Sequence, residues 1–134
     1  MAWLIVITLA AHVLSSVFWA GSTFTMARLA GLGGARLVVP QAGAAAVAIL
    51  TGVYLGHSLH SGNFGAFEQV LVIGIVAALV AVILQVVVGF RTLAALRRVR
   101  LDENSAQQKI AIAQRFAAGL LAITVICMAV ARYV

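Results

Sequence analysis

His12 is an ionisable side chain set within an apolar run. It lies about nine residues inside the N-terminal run, roughly 13 Å along a helix at 1.5 Å per residue. An ionisable group at such depth is costly, so it turns toward a bundle interior or a functional cavity. A neutral imidazole is a common metal ligand and a standard axial ligand of haem iron. Ser15, Ser16, Trp19, Ser22, Thr23 and Met26 follow His12 at spacings of three and four, which puts a polar and aromatic stripe on one helix face. The same pattern serves helix adhesion, with hydroxyls and imidazole hydrogen-bonding across an interface. The residue types alone leave both readings open.

A second ligand is expected at similar depth. His57, five residues beyond Gly52, and Met128 are the candidates, with Cys127 beside the latter. A haem site would then be His12 with His57 or Met128. A copper site would use His12, His57, His60 and Met128. Arg132, with Ser58, Ser61 and Asn63 at the same end, could pair with haem propionates through charge-assisted hydrogen bonds. It could also anchor its helix end by snorkelling. Trp19 could stack on a porphyrin or simply pack. The single cysteine excludes an intramolecular disulfide, and the chain has no CxxCH for covalent haem.

The elements that must position these groups follow from composition. The chain has 134 residues, 64% hydrophobic and 9% charged, against about 45–50% and 25% in soluble domains. So small a globule cannot hide this much apolar surface, and a membrane span needs about 20 apolar residues. The expected fold is an all-α membrane protein, a single four-helix transmembrane bundle with spans at about 2–27, 37–57, 67–92 and 108–132. The first positive charge near the N-terminus, Arg28, follows the first run, the reverse of a signal peptide. Gly31 to Gly34 reads as a turn. Pro40 and Gln41 fall in the expected first turn of the second span. Gly52 and Gly56 form a GxxxG pattern permitting close helix approach. Gln85 is the one deep polar group of the third span, the segment Arg91 to Arg100 is expected to continue that helix out of the bilayer, and Ser105 is the expected N-cap of the fourth.

The formal net charge is +6. Arg28 and Arg36 flank the first loop. Arg91, Arg97, Arg98, Arg100, Lys109 and Arg115 crowd around the third, and the second loop has no Lys or Arg. The positive-inside rule puts the first and third loops in the cytoplasm and both termini outside. In a Gram-negative cell that is the periplasmic side of the inner (plasma) membrane. The basic segment reads as a binder of anionic headgroups, without the aromatic or base-reading residues of nucleic-acid recognition. No phosphate loop, acidic pair within a span or serine triad is present.

The run His12-Val-Leu-Ser-Ser-Val-Phe-Trp19-Ala-Gly21, followed by Arg28-Leu29, resembles the first helix of HemJ-type protoporphyrinogen oxidases. Its His-x6-Trp-x-Gly portion is also similar to the CopD family of membrane copper-resistance proteins. Arg36, Pro40, Thr51, Gly52 and Gly56 echo the next HemJ helix. The resemblance covers roughly the first 56 residues. The chain departs from the HemJ pattern at Phe67-Glu-Gln-Val and at Gln114-Arg115-Phe116, where the family has a Lys and an Asn-Glu pair. The resemblance implies haem b held through His12, with Trp19 and Arg28 as further site residues and Ser16 on the same face. It implies electron transfer or oxidation of a tetrapyrrole such as protoporphyrinogen IX, leaving open whether the chain is an oxidoreductase. The CopD likeness implies copper instead, and a cofactor-free structural subunit is the third reading. The expected partners are the lipid bilayer, a tetrapyrrole or quinone, and a second copy meeting it at Gly52 and Gly56.

Overall fold

The computed structural model describes residues 1–60, 62–98 and 102–134, so Ser61 and Arg100 lie outside the described residues. The described residues form four helices: α1 (Ala2–Arg28), α2 (Gly34–Leu59), α3 (Ala66–Arg97) and α4 (Glu103–Ala131). Each is long and apolar enough to cross a membrane. In lipid every backbone N–H and C=O must be satisfied within the segment, and a helix does this locally. The helices run up and down in sequence. α3 packs along α4, and α1 along α2. α1 and α4 also meet, whereas α2 and α3 touch over a shorter stretch.

The distribution of side chains inverts that of a soluble bundle. Ala45, Ala48, Ala81 and Ala117 are buried at the centre around Trp19 and Leu121, while large residues such as Leu14, Val17, Leu50, Ile83 and Phe116 face outward. Lipid tails are as apolar as leucine, so burying large aliphatic groups gains little. Small residues instead let the backbones approach for dispersion and hydrogen bonding. Three glycines mark such approaches. A Cβ on Gly74 would stand 3.0 Å from Cys127 Cβ, one on Gly89 2.9 Å from Val38, and one on Gly34 2.6 Å from Ile110.

The starts of two helices differ from the sequence expectation, each for a physical reason. α2 begins at Gly34, so Pro40 is its seventh residue and lies past the first turn. Its missing N–H there denies the Arg36 carbonyl its usual donor. α3 does continue to Arg97, as expected of the basic segment after its apolar run, because an exposed basic segment can remain helical after leaving the hydrocarbon. The N-cap of α4 is Asp102, whose Oδ1 accepts from the Ser105 N–H at 2.9 Å. Ser105 is therefore the capped residue, three positions into the motif, and not the cap. Between α1 and α2, Gly31 and Gly33 have φ of +77° and +72°, and a Cβ on Gly31 would fall 2.5 Å from the Gln107 carbonyl oxygen of α4.

Candidate functional site

His12 is half-buried on α1 and reaches across to α2. Its Nδ1 lies 2.8 Å from the Ala48 carbonyl oxygen and 3.1 Å from Thr51 Oγ1. Thr51 donates its own hydroxyl to the Val47 carbonyl at 2.6 Å, leaving its lone pairs to accept. Both neighbours of Nδ1 are then acceptors, which places the imidazole proton on Nδ1 and the ring's lone pair on Nε2. Gly52 makes room for the ring, since a Cβ there would meet His12 Cε1 at 3.0 Å. Nε2 has no hydrogen-bond partner. No buried side-chain nitrogen or oxygen among the described residues lacks one, so Nε2 keeps contact with the surface. A histidine oriented through one nitrogen by a backbone carbonyl, with the other nitrogen open, is the usual arrangement of a metal-ligating imidazole.

The stripe predicted from His12 to Met26 does turn inward, with Trp19, Thr23 and Met26 buried and Ser15, Ser16 and Ser22 half-buried. Its lower part enters a second polar constellation. Trp19 Nε1 donates to Gln85 Oε1 at 2.6 Å. Gln85 Nε2 donates to Thr23 Oγ1 at 2.8 Å and to Gln114 Oε1 at 3.0 Å. Gln114 Nε2 donates to Gln41 Oε1 at 2.8 Å, and Gln41 Nε2 to Ser22 Oγ at 3.0 Å. One glutamine from each of α2, α3 and α4 thus joins α1 in a closed set of hydrogen bonds. The set is neutral and has no titratable group, so it ties the helices together without carrying a charge.

The other predicted site residues are dispersed. Trp19 sits about 10 Å along α1 from His12, its ring in the alanine core and its N–H occupied by Gln85. Ser16 makes no side-chain hydrogen bond among the described residues. His57 is exposed near the end of α2, five residues past the glycine under His12. His60 Nδ1 lies 3.7 Å from Glu68 Oε1. Met128 is 39% exposed on α4. Arg132 lies over the Tyr133 ring at 5.4 Å, and Arg28 is exposed at the far end of α1. Among the described residues no three His, Cys, Asp or Glu side chains gather as a metal site. Gly56 has open space where a Cβ would go, whereas Gly52 is occupied by His12 within the chain, so the two do not form one shared contact surface.

Sequence reasoning missed the partners of His12 and the glutamine set. Ala48 acts through its backbone, which residue type does not reveal. The signal for the network was one intramembrane Gln on each of three helices. No protein-family model, curated protein or solved structure matches the chain.

Proposed function

We propose that this chain is a small multi-pass membrane protein that binds haem b through His12. It would act in electron transfer or in oxidation of a tetrapyrrole such as protoporphyrinogen IX. The observation that supports it is the fixed imidazole, with Nδ1–H held by Ala48 and Thr51 and Nε2 open. Bound haem would supply a one-electron iron couple. The chain's own part is to hold the axial nitrogen in one tautomer and orientation. The distribution of Lys and Arg supports an orientation with the α1–α2 and α3–α4 loops on the cytoplasmic side. His12 then sits in the outer half of the inner membrane.

The donor fits haem, but the bundle axis does not fit the macrocycle. The space between α2, α3 and α4 beside Gln41, Gln85 and Gln114 amounts to about 10 Å³, while sites for molecules of this size need several hundred. A porphyrin held by His12 would therefore have to lie against the outer surface of the bundle. A symmetric second copy is the natural cover for it. A cofactor-free structural subunit is the second reading, favoured by the filled and hydrogen-bonded interior. The two separate in one experiment. The full chain is produced with ample haem, purified in mild detergent and examined by absorption in both redox states. Haem binding predicts a Soret band that His12→Gly loses and that added imidazole restores. A structural subunit gives no band in either form, under conditions that load a control haem protein.

A further inference from the structure

At the end of the molecule that carries the α1–α2 turn, α2 and α3 part below the close contact of Gly89 with Val38. The opening is a groove of about 330 Å³ lined by Val39 from α2 and by Phe90, Leu93, Ala94, Arg97 and Arg98 from α3. The α3 residues follow spacings of three and four, so they form one continuous face. That face is apolar at Phe90 and Leu93 and cationic at Arg97 and Arg98. Val39 and Phe90 are exposed, as are both arginines. Among the described residues the only pairing of a basic with an acidic side chain is His60 with Glu68, at the opposite end. Among the described residues neither arginine has a carboxylate partner.

Phe90 and Arg97 are about 10 Å apart along the helix axis, enough to run from the hydrocarbon edge through a headgroup layer about 5–8 Å thick. The groove thus presents an apolar wall below and two unpaired guanidinium groups above. Guanidinium suits phosphate because its planar fork donates two parallel hydrogen bonds. A soluble anion would leave the apolar wall unused. A zwitterionic lipid would bring its own cation beside the arginines.

We propose that this groove is a binding site for an anionic phospholipid. Its phosphate lies between Arg97 and Arg98, and the start of its acyl chains lies on Val39, Phe90 and Leu93. The site is independent of His12 and of any cofactor there.

The test uses the full chain in a neutral detergent. Native mass spectrometry measures adducts with phosphatidylglycerol, with phosphatidylcholine of the same acyl chains, and with inorganic phosphate as competitor. Phosphatidylglycerol is expected to bind preferentially, and equimolar phosphate is expected not to displace it. Arg97→Gln with Arg98→Gln removes two charges worth about fivefold each and should weaken the preference by about twenty-five-fold. Ala94→Trp should also weaken it by filling the groove with the charge unchanged. Lys109→Gln, on the neighbouring helix, should leave it intact. Equal binding of the two lipids would overturn the proposal, as would displacement by phosphate or full retention in the double arginine variant. An Ala94→Trp protein that binds like the wild type would reduce the site to diffuse electrostatics and so overturn it too.

Discussion

Two constellations of single side chains matter in this molecule, and they differ in what they leave open. Around His12 one nitrogen is committed and one is free. Around Gln41, Gln85 and Gln114 every amide has a partner. A closed network makes a clear prediction about its parts. Gln85→Leu strands the Trp19 N–H and leaves the Gln114 carbonyl oxygen only its longer bond from Gln41 Nε2, at 3.3 Å, and should lower stability by about 1–2 kcal/mol. Replacing Gln41, Gln85 and Gln114 all by Leu removes both sides of every bond between glutamines, so the triple variant should lose less than the three single losses summed. Denaturant titration of the detergent-solubilised protein, followed by circular dichroism, measures both. Additive losses would mean that the three glutamines act separately. His12 and the stripe below it were legible in the sequence, because an imidazole and hydroxyls stand out from an apolar run. The Ala48 carbonyl was not, since a backbone acceptor leaves no trace in residue type.

The helices were placed well by apolar run length, and less well at their ends. Hydropathy marks where lipid stops, whereas a helix stops where its backbone hydrogen bonds do. α3 therefore outruns its apolar segment through Arg97, and α4 begins at Glu103, ahead of its apolar part. Asp102 caps α4, and hydrogen bonds from Ser105, side chain and backbone, hold its carboxyl below its ordinary value. A lowered folded value means that the cap contributes fully above the unfolded value of about 3.9. The contribution is lost as pH falls through the lower folded value. Asp102→Ala should thus reduce thermal stability at neutral pH, and the gap from wild type should close in strong acid. The turn between α1 and α2 gives a second check by thermal melting. Gly33→Ala meets open space and incurs only left-handed backbone strain, about 1–2 kcal/mol. Gly31→Ala adds a clash with the Gln107 carbonyl and should be clearly worse. Equal losses would show that α4 does not press on the turn.

At the scale of the whole molecule, large apolar residues face outward and alanines, glycines and amides face inward. This is the packing expected of a bundle whose solvent is lipid. The charge pattern adds a direction, and cysteine labelling in intact cells can test it. Asn63→Cys, in the α2–α3 loop, should react with a membrane-impermeant maleimide from outside, and Asn104→Cys, on α4 beside the α3–α4 loop, should react only after lysis. The wild type, with half-buried Cys127, sets the background. The reverse pattern would invert the topology and put His12 in the cytoplasmic half. The filled interior also bears on function. The space of about 10 Å³ beside the three glutamines is too small for a macrocycle, so the haem proposed for His12 would need a site at the bundle surface.

The most direct test is the difference in absorption between wild-type protein and His12→Gly, both purified with haem supplied and both shown helical by circular dichroism. A Soret band in the wild type, absent in the variant and restored by imidazole, is the predicted result. A band of equal strength in both proteins, or in neither, would contradict a role for His12 as the axial ligand.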